Sequence, residues 1–330
     1  LVVGSNEEYA GPPDADLGSG LLATFLALSG QLAHSANGRL YAVYPDGRLH
    51  GPSPSAAFLP GWPAALADFV PGLLPDVGDG VVASPALAPG PGGAPVVAAM
   101  STAGPAYLLD PQGSSALGTG PSGLPRVMGS GEPGPLASST GPLATSVPAL
   151  GDPVLAPLGP AGLALVAPAA SLGRLLDQSE PADQVPHDAQ VDAWDAATGG
   201  FEPGFPQVAG DLEFLAQPIV ARVAGPARGP YVVAASATYD LRALDAEGRE
   251  APGFPKFTGG WAVNSASQGR FGALADQVLA LGTREGYLFV WRTPTPACSS
   301  PGPWPRQHHD LWNTSDLAGG PPGRPCRPPR

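Results

Sequence analysis

Lysine is almost missing from this chain: Lys256 stands alone among 16 basic residues, against 28 acidic ones and a net charge of −12. The positive charges are scattered, so the basic stripe needed to neutralise a phosphate backbone is absent, and nucleic acid is not an expected partner. Charged residues of either sign reach only 13%, and aromatic residues 7%. Long apolar runs are lacking too. The best, Gly20 to Ala33 and Gly159 to Ala170, are short or broken by proline, and neither has the roughly 18 uninterrupted apolar residues of a membrane span. The chain opens at Leu1 on LVVGSNEEY, with no charged leader region and no cleavage signal, and reads as a fragment or a processed chain.

What is abundant is glycine and proline, 46 and 44 of 330 residues. Proline removes a helix donor and glycine costs roughly 1 kcal/mol at an interior helical site, so long helices are excluded over most of the chain. A hydrophobic share of 43% argues against disorder and supplies a core. The excess of Ala, Gly and Pro over Lys matches GC-rich coding, so single glycine motifs carry little weight. Gly118-Thr119-Gly120-Pro121-Ser122-Gly123 fits G-x-G-x-x-G, yet it neither follows a strand nor opens a helix and reads as a loop.

Apolar runs suited to strands buried on both faces recur at Leu1 to Val3, Ala94 to Ser101, Gly162 to Pro168, Pro230 to Ser236 and Asp276 to Thr283. Most are followed by a second strand ending in a turn: RLYAVYPDGRL from Arg39, AYLLDPQGSS from Ala106, VDAWDAATGG from Val191 and LRALDAEGRE from Leu241. A fifth copy, GYLFVWRTP from Gly286, has lost the turn. In the others, glycine is free to take positive φ where the strand reverses. After the hairpins come PGWP at Pro60 to Pro63 and PGFP at Pro203 to Pro206 and Pro252 to Pro255, whose rings suit wedging between adjacent units. An opening element precedes the apolar runs at Val81, Ala144, Leu215 and Val263.

A repeat of about 40 to 50 residues with several strands predicts radial stacking. The expected fold is all-β: a β-propeller of four-stranded antiparallel blades, five to seven of them, as a whole or partial ring with Pro/Gly-rich loops. The units are 1–63, 79–142, 143–206, 212–255 and 261–296, with a C-terminal segment, 297–330, packing on the propeller. A tandem array of β-sandwiches is the alternative.

At these residues the chain resembles bacterial extracellular propellers with FG-GAP or VCBS-type repeats, whose units run SPALADLDGDGxPEIVVGSxDGxLYALDADGxxLPGFP. Ser84 to Ala88 reads SPALA, Ala243 to Pro255 reads ALDAEGREAPGFP, and PWPRQHHDLWNTS from Pro303 is similar to the family's C-terminal PWPxFxHDxxxTG. The resemblance implies Ca²⁺ ligands in the Asp-rich loop. Here the matching stretches are PGPGGAP, PLGPAGL, VAGPARGP and QGRFGALAD, almost without carboxylates, so no Ca²⁺ and no other cofactor is expected. The pairs Asp14 with Asp16 and Asp76 with Asp79 read as solvated turn residues. VDAWDAATGG also resembles, more weakly, the ALDAxTGxxxW repeat of quinoprotein dehydrogenases, but the tryptophan after the glycine is replaced by FEPGFP.

His308-His309-Asp310 is the densest ligand-capable cluster, yet adjacent side chains point apart and His34, His50 and His187 follow no ligand spacing, so terminal packing with Trp304 and Trp312 is the expected role. No serine, histidine and aspartate stand in a recognisable triad order. Asp46, Asp110 and Asp245 read as turn formers. Cys298 and Cys326 flank the Pro/Gly-rich tail; an oxidising compartment would let them close a loop of about 29 residues, worth roughly 3.5 kcal/mol on the chain-entropy model, with two free thiols as the alternative. Asn313-Thr314-Ser315 matches a glycosylation sequon.

These features suggest a non-catalytic module of a longer protein, secreted or at the cell surface and so extracellular or periplasmic. Its role would be structural or the binding of a protein or carbohydrate on a loop face, with no catalytic, cofactor-binding or metal residues. A quinoprotein-like oxidoreductase or a polysaccharide-active hydrolase or lyase is the rival expectation.

Overall fold

Alanine and valine fill the apolar runs, and such small and β-branched side chains suit a pleated surface covered on both faces. The computed structural model describes residues 1–8, 36–44, 46, 48–66, 81, 83–100, 106–121, 123, 125–128, 146–147, 151–159, 162–171, 189–208, 216–236 and 238–318. Among them the fold is all-β, and the one named helical element is the 3-10 turn Pro54–Ala57.

Five small antiparallel sheets follow one another along the chain. Sheet 1 holds β1 (Val2–Glu8), β2 (Ala36–Ala42) and β3 (Ala64–Ala65). Sheet 2 holds β4 (Ala86–Pro89), β5 (Pro95–Met100) and β6 (Ala106–Leu109), with Met128 bridging Ala106 beyond β6. In sheet 3, β7 (Ser146–Val147) and β8 (Val154–Gly159) both pair with β9 (Gly162–Ser171), followed by β10 (Ala189–Asp195) and β11 (Gln207–Val208). Sheet 4 is β12 (Ile219–Ala221), β13 (Tyr231–Ala235), β14 (Asp240–Leu244) and β15 (Lys256–Phe257). Sheet 5 is β16 (Ser267–Gly269), β17 (Asp276–Gly282) and β18 (Leu288–Pro296). One local expectation is corrected. The stretch PLGPAGL, read as a loop, is largely strand, since β8 continues to Gly159 and β9 begins at Gly162. Its alternating apolar residues pair Leu155 with Leu165 and Pro157 with Leu163.

Strand periodicity explains how the sheets lie. Val232 and Ala234 of β13 join the core cluster shared with sheets 2 and 3, while Tyr231, Val233 and Ala235 join the one shared with Leu279 and Leu281 of sheet 5. Likewise Val96, Ala98 and Met100 of β5 face the sheet 3 side, and Val97 and Ala99 join Leu40 and Ala42 of sheet 1. Residues of alternate parity therefore feed two different cores, which stacks the sheets face to face in chain order. No core cluster of the described residues joins sheet 5 to sheet 1.

The Pro-Gly-aromatic-Pro segments dock on the turn of the next sheet, and each carries its aromatic–proline bond in the cis form. Trp62 Nε1 donates to the Pro111 carbonyl at 2.9 Å. A Cβ on Gly61 would sit 1.9 Å from the Gln112 carbonyl oxygen, and one on Gly204 would sit 1.9 Å from the carbonyl carbon of Glu247. Only glycine lets the backbones approach so closely. The third copy differs: a Cβ on Gly253 would meet nothing nearer than Lys256 Nζ at 3.5 Å. Sheet 5 lacks the Asp-x-x-Gly turn, and Trp261 takes over, accepting from Arg284 N–H at 2.8 Å with that guanidinium 5.1 Å over its ring. The expected turn aspartates accept backbone N–H groups in their own turns, Asp46 from Arg48 and Asp110 and Asp245 from two residues each, and Asp195 does the same with two.

Candidate functional site

The residues with the most polar chemistry lie where the C-terminal segment crosses the opening strands. Past β18, Pro301, Gly302, Pro303 and Pro305 bar a helix, so the chain runs extended. It then pairs with strand edges that would otherwise be open. Arg222 N–H donates to Pro301 C=O at 2.7 Å, Val220 and Trp304 exchange bonds of 2.8 and 2.9 Å, and Gln268 N–H donates to Pro305 C=O at 2.8 Å. Further on, Leu87 N–H donates to Ser315 C=O at 2.7 Å and Leu317 N–H to Leu87 C=O at 2.8 Å. The strap thus ties sheets 5, 4 and 2. Trp304 anchors it, fully buried in the largest core cluster.

Between those anchor points the strap turns, with His308, His309, Asn313 and Ser315 all at positive φ. Asp310 holds the turn together. Burial acts to raise its carboxyl, but bonds from the Thr314 hydroxyl at 2.6 Å and from the N–H groups of Trp312 and Thr314 outweigh this and hold it below the usual carboxylate range. The two histidines diverge: His309 packs edge-on to Trp304, with ring centroids 5.0 Å apart, and His308 turns toward sheet 3. His308 Nδ1 lies 3.0 Å from Ser315 Oγ, and its Nε2 lies 3.7 Å from Asp152 Oδ2. Asp152 in turn accepts from Ser84 N–H at 2.6 Å. Gln217 completes the cluster by accepting from His308 N–H at 2.8 Å and donating to Pro153 C=O at 3.0 Å.

Hydroxyl, imidazole and carboxylate stand here in the order of a nucleophilic triad, a grouping that was not legible in the sequence. Two features set it apart from a working one. The carboxylate is beyond hydrogen-bond reach of the imidazole, and Ser315 is 7% exposed, with its carbonyl tied to β4. What the arrangement does is pin the strap to sheets 2, 3 and 4 at once. No group of three or more His, Cys, Asp or Glu side chains placed to hold a metal occurs among the described residues.

Beside the strap, a cleft of about 400 Å³ opens between sheets 3 and 4, lined by Leu158, Pro230, Ser300 and Pro303 with Arg222 as its charged residue. The Arg222 guanidinium donates to the Arg228 carbonyl at 3.2 Å and meets no carboxylate among the described residues. Two buried acids were also missed. Asp192 is fully buried on β10, where Gln190 Nε2 donates to Oδ2 at 3.2 Å and Oδ1 has no partner among the described residues. Burial pushes its carboxyl well above the usual range, against the pull of that bond. Glu202 is 2% exposed, and burial, followed by Asp195 and Glu247, raises it.

Cys298 follows β18 and is not a free thiol. Its expected partner Cys326 lies outside the described residues, as do Asp14, Asp16, Asp76, Asp79, His34 and His187. His50 pairs with Asp46 at 3.0 Å on the exposed first hairpin and stacks on Tyr44.

No protein-family model and no curated protein matches the chain. Among solved structures it is similar to the computationally designed Ika4 protein, at 12% identity over 64% of this chain and 92% of that one, with a TM-score of 0.32. BBS1N, in complex with ARL6DN, is 10% identical over 64% of this chain and 52% of its own, with a TM-score of 0.32. A europium-containing methanol dehydrogenase is 10% identical over 58% of this chain and 37% of its own, with a TM-score of 0.34.

Proposed function

We propose that the chain is a partial β-propeller with FG-GAP or VCBS-like repeats, serving as a non-catalytic binding or structural module of a longer secreted or cell-surface protein. One observation carries this reading: the strap from Pro301 to Leu317 lies across the opening strands of sheets 2, 4 and 5. In a propeller those strands border the axis, where substrate and cofactor would enter. A strap pinned there leaves the loop faces and the cleft at Arg222 as the binding surfaces. The near-absence of carboxylates from the Asp-rich loop positions, where Asp276 remains and pairs with Arg292, supports a module that works without Ca²⁺. An oxidising location agrees with Cys298 not being a free thiol.

The test sets binding against turnover. Soluble polysaccharides are screened with the chain by calorimetry and by reducing-end release, and quinone-dependent dye reduction is measured in parallel. Binding weakened by Arg222→Ala without turnover supports the reading. Turnover lost in Ser315→Ala would overturn it.

A further inference from the structure

We propose that the outer edge of β18 is a self-association surface, on which a second copy of this chain adds its own β18 in antiparallel register about Val290. In the other sheets the last long strand is covered: β3 lies on β2, β11 on β10, β15 on β14, and Met128 bridges Ala106 beside β6. Among the described residues sheet 5 has no such strand. Thr283 N–H donates to Tyr287 C=O at 2.9 Å, and pairing alternates along an antiparallel ladder, so Tyr287, Phe289 and Trp291 direct their backbone groups to β17. The N–H and C=O of Leu288, Val290 and Arg292 then point outward, and none has a backbone partner among the described residues. Such an edge is a template for another strand.

Its side chains are those of an interface. Leu288 is 73% and Val290 47% exposed. Arg292 is neutralised by Asp276 at 2.7 Å, so the edge carries no net charge although the chain carries −12. Pro294 has no N–H to offer and ends the usable edge. The open stretch is therefore centred on Val290 and is self-complementary. A two-fold axis there sets Val290 against its own copy and Leu288 against Arg292, satisfying all six outward groups of each strand. The same register sets Phe289 across from the copy's Trp291, extending an aromatic stack that already exists along the strand at 5.5 Å. This self-complementarity is what selects a second copy over an unrelated strand. The inference does not rest on the propeller reading.

Sedimentation equilibrium of the full chain from about 1 to 100 μM tests it. The expected mass rises toward twice 33.0 kDa, more readily at high salt, where repulsion between the acidic copies is screened. Val290→Pro removes an outward N–H that the β17 ladder does not use, so its circular dichroism stays that of the parent while its mass falls back to the monomer. Val290→Cys, oxidised, yields a covalent dimer absent from the parent chain, because directly opposed residues are about 5.5 Å apart at Cα, within disulfide reach. A parent chain that stays monomeric at 100 μM, a Val290→Pro dimer as tight as the parent's, or no crosslink in Val290→Cys would each overturn the proposal.

Discussion

Asp192→Asn isolates the energetic consequence of an acid buried without a counter-charge. The Asp192 carboxyl has one hydrogen bond, from Gln190, and its second oxygen is unpaired inside the core, so the folded protein holds it protonated well above the ordinary carboxylate range. In the unfolded chain the same group ionises near pH 3.9, its ordinary value. Above that pH the unfolded state binds fewer protons than the folded state. The contribution of Asp192 to the parent's stability therefore falls as pH rises, by at most about 1.4 kcal/mol per pH unit, until the folded carboxyl itself ionises. Asparagine keeps the shape and the Gln190 contact but does not titrate. All other ionisable groups are common to the two proteins and cancel in the difference. Urea unfolding followed by tryptophan fluorescence at pH 4.5 and 5.5 is expected to show Asp192→Asn gaining on the parent between the two, by at most about 1.4 kcal/mol. A gap that stays constant from pH 4.5 to 6.5 would refute the protonated, uncompensated state argued here.

Glu202→Gln is expected to raise the urea midpoint at pH 7 and leave it nearly unchanged at pH 4, because burial and the nearby Asp195 and Glu247 disfavour the ionised form only where it would be charged. Gly204→Ala and Gly253→Ala sit in the same PGFP motif but are expected to differ in thermal scans. The first forces backbone apart where a Cβ would lie 1.9 Å from Glu247 and costs roughly 3 kcal/mol or more, while the second meets open space and costs only about 1 to 2 kcal/mol for its positive φ. Non-reducing peptide mapping is expected to recover Cys298 joined to Cys326, and replacing both by alanine to lower stability by roughly 3.5 kcal/mol on the chain-entropy model; two free thiols would remove that prediction.

Much of the sheet structure was legible in the sequence because strand periodicity and turn chemistry are local. The runs at Ala94, Pro230 and Asp276 became β5, β13 and β17, and the Asp-x-x-Gly turns close on aspartates that accept neighbouring N–H groups. GYLFVWRTP, the copy without the turn, became β18. The PLGPAGL stretch misled because its prolines and glycines suggest a loop, yet alternating Leu155, Leu163 and Leu165 give β8 and β9 enough buried surface to pair across it.

What the sequence determined by itself is therefore the all-β class and the order of its hairpins, since each forms between residues a short turn apart. Tertiary structure alone decided which of those hairpins share a core, that Gly204 has no room while Gly253 has, and that Asp192 and Glu202 are buried. It also decided that Asp152, His308 and Ser315 meet. His308 and Gln217 are 91 residues apart, and Ser84 and Asp152 are 68 apart. Contacts at such separations leave no periodicity in the chain; they exist only because the sheets stack and the strap, barred from helix by its prolines, must take its hydrogen bonds from the strand edges it crosses.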